Sequence, residues 1–297
     1  MNATLDCLPC FLRQTLDAVR MSTDDQTLHE DVMRKVLYYA CTLDLKQCPP
    51  WICYQILRYV EQLTGKLDPY REKKDHVNRA VLRMVEGLQQ RITLSSDPLE
   101  TAVRLAIAGN VIDFGVYRDI SVCDIERSID HCLSATLVRE ALLDFRKAIE
   151  SATDILYLAD NTGEIVLDRL LIETMNHPRV TLVVRGGPIL NDATRADAEA
   201  VGLTRWVNVI DNGSRVPGTV LEDCSPAFRE CFQAADLVIA KGQGNYESLD
   251  DSDKRIYFLL KAKCAFVADG LGCAVGDMVL HSGPSGAVAE VGAKRRA

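Results

Sequence analysis

A chain of 297 residues is long for one minimal domain and short for three, so one large domain or two intertwined ones are expected. Its 34 Lys and Arg against 42 Asp and Glu give a net charge of −8, which argues against a nucleic-acid-binding face but leaves room for a local small-anion site. No apolar run reaches the ~18–20 residues of a membrane span, and the first residues lack the basic and apolar regions of a signal peptide. A cytoplasmic protein with no membrane partner is expected. The eleven cysteines are expected to be reduced and mostly packed as small hydrophobes, since a chain of this length builds a core without disulfides.

From residue 1 to about 150 only helical periods occur. Leu12, Leu16 and Val19 recur at helical spacing; Ile52, Ile56 and Leu63 follow Pro49 and Pro50, with Gly65 as the C-cap. Val77, Val81, Met84, Val85 and Leu88 form the cleanest apolar stripe. Asp97-Pro98 reads as an N-cap and first helical residue ahead of Leu99, Ala102, Val103 and Ala106. A further helix runs through Leu133, Leu137, Ala141 and Phe145.

After Glu150 short β-type runs alternate with helices. Strands are predicted at Ile155–Ala159, Val180–Val184, Val207–Ile210, Asp236–Ala240 and Cys264–Ala268, with a helix from Glu164 to about Met175 and an Ala-rich helix after Asp192. Repeated β-α units with near-continuous apolar strands imply a parallel sheet covered on both faces. The predicted architecture is therefore α/β: a Rossmann-like three-layer α/β/α core over 151–281, preceded by an all-helical region over 1–150 and followed by a loose tail over 282–297.

The polar residues fall just after the predicted strands, at Asp160, Asn161, Asp192, Asp211, Asn212, Lys241 and Asn245. In a doubly wound sheet those positions share one edge, where ligands bind. Asp160-Asn161-Thr162-Gly163-Glu164 has the composition of a turn and helix cap, but a second acidic junction at Asn191-Asp192 adds a ligand reading. Two carboxylates and an amide oxygen form a hard donor set that suits Mg²⁺ or Mn²⁺ rather than Zn²⁺. Lys241-Gly242-Gln243-Gly244-Asn245-Tyr246-Glu247 offers a point positive charge and glycines that let backbone approach an anion. A flexible loop with a solvated lysine is the plainer account. The segment matches neither a Walker loop nor the dinucleotide fingerprint. Asn110 and Asp113, between Gly109 and Gly115, read either as a helix terminus or as a segment completing the pocket.

Together with Cys7 and Cys10, these motifs resemble the damage-control phosphatase family, long called domain of unknown function 89, over nearly the whole chain and in the family's order. The Cys-x-x-Cys pair resembles its compact prokaryotic branch. The resemblance implies a metal-dependent phosphatase of small phosphorylated metabolites, such as sugar phosphates, nucleotides or phosphopantetheine-type compounds. It carries the metal ligands onto Asp160, Asn161 and Asp192, with Mg²⁺ or Mn²⁺ favoured and Co²⁺ or Ni²⁺ as further candidates. Asp160, Asp192 and Lys241 are the expected catalytic residues. Asn110, Asp113, Gly163, Glu164, Arg185, Gly242, Gly244 and Asn245 are expected around the substrate phosphate.

A Rossmann-like core also fits a methyltransferase or other nucleotide-cofactor enzyme, because fold does not fix function. Against that, Asp160 stands where a pyrophosphate would want backbone amides. A non-catalytic phosphometabolite sensor could use the same pocket. Cys7 and Cys10 lack a second Cys-x-x-Cys with which to form a four-thiolate zinc site, and a packing role accounts for them.

Overall fold

The apolar runs after residue 154 pair into one six-stranded sheet of order β3-β2-β1-β4-β5-β6. The strands are β1 (Ile155–Leu158), β2 (Val180–Val184), β3 (Asn208–Asp211), β4 (Leu237–Lys241), β5 (Ile256–Lys261) and β6 (Met278–Ser282). The first five are parallel, and β6 closes one edge antiparallel to β5. The structure, a computed structural model, describes residues 1–109, 122–135 and 137–283.

Among the described residues eight helices precede the sheet: α1 (Cys7–Ser22), α2 (Gln26–Ala40), α3 (Pro49–Thr64), α4 (Arg71–Leu82), α5 (Val85–Leu94), α6 (Pro98–Ala108), α7 (Val122–Ser134) and α8 (Arg139–Ser151). Their termini follow local chemistry. Asp97 accepts from the Glu100 N–H to cap α6, with Pro98 at its first position. Gly65, at φ 69°, ends α3 in the left-handed conformation. The crossovers carry α9 (Glu164–Met175), α10 (Arg195–Ala200), α11 (Pro226–Ala234), α12 (Gly242–Leu249) and α13 (Ala265–Leu271).

Alternating strand residues bury into two apolar layers. Ile155, Tyr157, Leu182 and Ile239 pack with α4–α6, α8 and α9 on one face, whereas Leu156, Leu158, Val238 and Phe258 pack with α11–α13 on the other. Helices from before residue 150 thus supply one whole layer of the sandwich. A third core joins α1, α2 and α3, and Ile189, from the loop after β2, inserts into it.

Several predicted elements are corrected. The run Cys264–Ala268 is no strand: Cys264 precedes α13, in which Val267, Ala268 and Leu271 are buried at helical spacing. The fifth parallel strand is the more apolar Ile256–Lys261, which follows α12 after a short turn. The antiparallel β6 was not foreseen and reaches Ser282, where a tail was expected to begin. The Val77–Leu88 stripe spans two helices, because the chain turns at Arg83 and Met84 between α4 and α5. The helix α2 also went unplaced.

The strand order reverses between β1 and β4. From β1 the chain proceeds outward to β2 and β3, then returns beside β1 as β4. The crevice beyond the carboxyl ends of β1 and β4 is therefore the topological switch point at which open α/β sheets bind ligands.

Candidate active site

Two loops meet at that crevice. Asp160 and Asn161 follow β1; Asn191 and Asp192 lie in the loop between β2 and α10. Thr162 N–H donates to Asn191 O and Ala193 N–H to Asp160 O, both at 2.8 Å, so the loops are zipped together by an antiparallel bridge between Asn161 and Asp192. Asp160, Asn161 and Asp192 are 7%, 5% and 3% exposed. The three predicted ligands therefore share one nearly enclosed corner.

Arg185, at the end of β2, ties the carboxylates together. Its Nε donates to Asp192 Oδ2 at 2.7 Å, its guanidinium lies 3.8 Å from Asp160 Oδ1, and it also reaches Asn245 Oδ1 and Thr219 Oγ1. Asn245 in turn donates to Lys241 O and Ala159 O. The predicted phosphate-binding arginine is thus 2% exposed and turned onto the ligand carboxylates.

Lys241 departs from its expected contact with substrate. Its ammonium has three donors, and they meet Ala106 O at 2.8 Å, Glu164 Oε1 at 2.6 Å and Asp168 Oδ1 at 2.6 Å. The side chain is fully buried. Burial alone would lower its pKa, but Asp168 and Glu164 more than reverse that effect. Asp168 also accepts from the Tyr157 hydroxyl at 2.7 Å, and burial holds its carboxyl up at about 6.

Glu164 passes this arrangement to the ligand corner. Asn161 Nδ2 donates both to Glu164 Oε2 at 3.2 Å and to Asp160 Oδ2 at 2.8 Å. The amide hydrogens are held by carboxylates, which leaves the carbonyl oxygen as the donor toward a cation.

The glycines of Lys241-Gly-Gln-Gly are not a flexible phosphate loop but the first turn of α12. Gly242 adopts φ +80°, and a Cβ there would fall 1.7 Å from Asp160 Oδ2. The anion that this backbone approaches is the protein's own Asp160. Gly244 has a different reason: its missing side chain makes room for Pro217 O.

A helical-half residue that the sequence did not single out locks both loops. Asn78 on α4 is buried; its Oδ1 accepts from Gly163 N–H at 2.7 Å and its Nδ2 donates to Asp197 Oδ1 at 3.3 Å. Asp197 also takes the Thr194 N–H and hydroxyl in a capping box and pairs with Arg71. One amide thus fixes the turn after Asp160 and the start of α10 after Asp192. Asp168, the other missed member, carried a legible signal: it sits four residues after Glu164 on an otherwise apolar helix face. Nothing in the sequence distinguishes Thr219.

The corner has the charge balance of a cation site. Among the described residues Asp160, Glu164, Asp168 and Asp192 are buried here together with the cations Arg185 and Lys241. Burial, Glu164 and Asp192 push the Asp160 carboxyl well above the ordinary range, opposed by Lys263 and Arg185. Lys263, just beyond β5, was not among the predicted residues. Among the described residues no three His, Cys, Asp or Glu side chains are grouped as a metal site. A cation here would therefore use the Asn161 amide oxygen beside Asp160 and Asp192, a set suited to a hard ion. The predicted Asn110 and Asp113 lie outside the described residues. Cys7 and Cys10 stand in the first turn of α1, unbridged; Cys10 is exposed and Cys7 half-buried.

A doubly wound sheet whose switch point gathers carboxylates and an amide defines an α/β protein with an acidic strand-end site. Residues 3–279 match the damage-control phosphatase ARMT1-like domain, and the chain belongs to that family. It is 37% identical to an uncharacterised protein of Methanocaldococcus jannaschii, over 93% of both chains. It is 34% identical to a damage-control phosphatase of Pyrococcus horikoshii, over 94% of this chain and 97% of that one. A damage-control phosphatase of Archaeoglobus fulgidus is 32% identical, over 92% and 96% respectively. Among solved structures, a DUF89 family protein from Pyrococcus horikoshii superposes with a TM-score of 0.85 at 33% identity, covering 96% of this chain and all of that one. The family expected from the motifs and the α/β class are both found.

Proposed function

We propose that this member of a phosphatase family is a metal-dependent phosphomonoester hydrolase of small phosphorylated metabolites. Water and the phosphoester give inorganic phosphate and the free alcohol. The observation that carries this reading is the meeting of Asp160, Asn161 and Asp192 in one corner, where the two loops are joined by a bridge between Asn161 and Asp192. Asp160, Asp192 and the Asn161 carbonyl would hold a hard divalent ion, Mg²⁺ or Mn²⁺ first. When bound, such an ion polarises a phosphoryl oxygen and offsets the charge of the transition state.

The chain's own residues supply position. Arg185 fixes Asp192 and steadies Asp160. Lys241 sets Glu164, Glu164 sets the Asn161 amide, and that amide is held against Asp160. Lys241 therefore acts through Glu164. A ligand set held this way is preorganised by its supporting shell, as metal sites require.

The test is hydrolysis of p-nitrophenyl phosphate by the purified full chain, with EDTA and with added Mg²⁺, Mn²⁺, Co²⁺ or Ni²⁺. Activity is expected only with metal, and Asp192→Ala is expected to abolish it. Turnover that survives chelation, or an Asp192→Ala variant at the wild-type rate, would overturn the ligand assignment.

A further inference from the structure

Of the eleven cysteines only Cys7 and Cys10 stand three or four residues apart, and the first turn of α1 places both on one face. Packing as a small hydrophobe accounts for Cys53, Cys132 and Cys224, which are buried. It does not account for Cys10, which is exposed, and Cys7 beside it is only half-buried. Both thiols are free.

The geometry of a first helical turn suits a bond between them. Cα atoms three residues apart in a helix are about 5 Å apart, inside the range of about 4.4–6.8 Å found across disulfides. Their Cβ atoms, at about 5–6 Å, have to close by about 1 Å or more. Two features of the start of α1 ease that movement: the N-cap Asp6 makes no side-chain cap bond, and Pro9 has no N–H to lose from one. Thr4 N–H donates to Cys7 Sγ at 3.5 Å, and Thr4 Oγ1 lies 3.7 Å from the same sulfur, so Cys7 is held in the turn.

The surroundings disfavour charge on the second sulfur. Burial and the negative charges of Cys264, Cys7, Glu247 and Asp6 push the Cys10 thiol up. Glu247 and Cys264 are joined through Gln243, whose Nε2 donates to Glu247 Oε1 at 2.8 Å and lies 3.6 Å from Cys264 Sγ. A thiolate at Cys10 therefore meets like charge from α12 and from the start of α13, whereas a disulfide carries no charge. The same acidic surroundings repel an anionic oxidant and admit a neutral one.

We infer that Cys7 and Cys10 form a dithiol–disulfide modification site, oxidised by small neutral disulfides and restored by thiols. The inference stands apart from the phosphatase reading. The exposed Cys10 gives its proton to solvent and attacks one sulfur of the oxidant RS–SR; that S–S bond breaks, and RS⁻ leaves with the electron pair and takes up a proton. Cys7, deprotonated in turn, attacks Cys10 Sγ, forms the Cys7–Cys10 bond and expels the second RS⁻, which is protonated. Two protein thiols and one small disulfide become one protein disulfide and two RSH, so two electrons pass to the oxidant.

The test uses the reduced full chain, freed of reductant and incubated with 2-hydroxyethyl disulfide at about pH 8.5, the ordinary thiol pKa. The product is alkylated, digested and mapped by mass spectrometry. Cys41 and Cys231 are exposed but have no other cysteine within four residues, so they report ordinary thiol exchange. They are expected to carry 2-mercaptoethanol, whereas the peptide holding Cys7 and Cys10 loses two hydrogens, carries no adduct and regains both thiols with dithiothreitol. In Cys7→Ser the bond cannot close, and Cys10 is expected to accumulate the adduct instead. Cys264→Ser should leave the Cys7–Cys10 bond intact. Stable adducts on Cys7 or Cys10 of the wild type, or a bridge from Cys10 to Cys264, overturn the pairing. Two free thiols at Cys7 and Cys10 while Cys41 and Cys231 exchange overturn the site, and so does a bond that forms only in urea.

Discussion

In the helices before Ala152 buried polar groups are few and mostly satisfied nearby, whereas at the strand ends they are charged and satisfied across the chain. Among the described residues of the helical half, Thr15, His29, Lys74 and Asn78 are the buried polar side chains. Thr15 donates to Phe11 O on its own helix and His29 bonds Thr23 O. Lys74 and Asn78 differ, and both sit on α4, where Asn78 reaches the ligand loops and the Lys74 charge acts on Asp197. At the strand ends Asp160, Glu164, Asp168, Arg185, Asp192 and Lys241 are all buried. Buried ion pairs seldom stabilise a fold more than well-packed apolar groups would. The contrast separates a half whose buried polar groups are few from a strand edge that concentrates buried charge, with α4 joining the two through Asn78.

The sharpest way to break this comparison is Lys241→Met. Removal of the ammonium takes a buried ion-pair partner from both Glu164 and Asp168, and loss of one partner from a buried pair costs about 3–5 kcal/mol. Urea denaturation of wild type and variant measures the difference. A loss under about 1 kcal/mol would place Lys241 with surface pairs and erase the contrast.

Glu247 gives the next effect, and its sign is opposite to that of an ordinary paired carboxylate. Burial holds its folded-state pKa up at about 7, although Gln243, the N-terminal ammonium and Lys263 pull it down. In the unfolded chain it titrates near its ordinary 4.5. Between those values the folded state binds more protons, so stability falls as pH rises from 4.5 to 7 and stays low above. The full span is about 3 kcal/mol, from about 1.36 kcal/mol per pKa unit. Glu247→Gln should flatten the dependence and raise the melting temperature at pH 8. An unchanged pH profile would show that Glu247 is ionised in the folded protein at neutral pH.

Asn78→Ala probes the link between the halves. It strips the partner from Gly163 N–H and removes one of two donors from Asp197 Oδ1, which keeps Arg71; the expected loss is about 1–3 kcal/mol for the buried N–H left unpaired. Because Asn78 supports the loops that carry the proposed ligands and lies outside that set, apparent Mn²⁺ affinity in the phosphatase assay should fall by about 10–100-fold, while kcat at saturating Mn²⁺ stays near wild type. Equal losses in kcat and metal affinity would reduce Asn78 to general packing.

What the sequence made legible divides along the same line. Short-range signals read well: Asp97-Pro98 begins α6, Gly65 ends α3 and Glu164 begins α9. The strand-end placement of Asp160, Asn161 and Asp192 was readable too, because β-α alternation alone sends those junctions to one edge. Side-chain direction was not readable. Lys241 ends β4 and its side chain turns inward to Glu164 and Asp168, which no spacing in the Lys-Gly-Gln-Gly run reveals. Asn78 is separated from Gly163 by the intervening helices, and only packing brings them together. The Ile256–Lys261 and Cys264–Ala268 runs are both short and apolar, and periodicity does not separate a buried strand from a buried helix at that length.

The smallest effect belongs to the helical half. Asp97 caps α6 through the Glu100 N–H and also takes two hydrogen bonds from Arg146, at a site about one-third exposed. Burial pushes its carboxyl up, but the Glu100 N–H and Arg146 outweigh that and hold it below the ordinary 3.8. Its stabilisation is therefore present above pH 3.8 and is lost as pH falls through the lower folded-state value. Asp97→Asn keeps a capping oxygen and removes the charge, so at pH 7 it should cost less than about 1 kcal/mol. Asp97→Ala removes the cap as well and should cost about 1 kcal/mol more. Denaturation midpoints for this pair of variants separate cap from charge. A charge-only loss as large as that of Lys241→Met would mean that ion pairs in the two halves are equally costly to break, and the distinction between fold and ligand edge would no longer rest on burial.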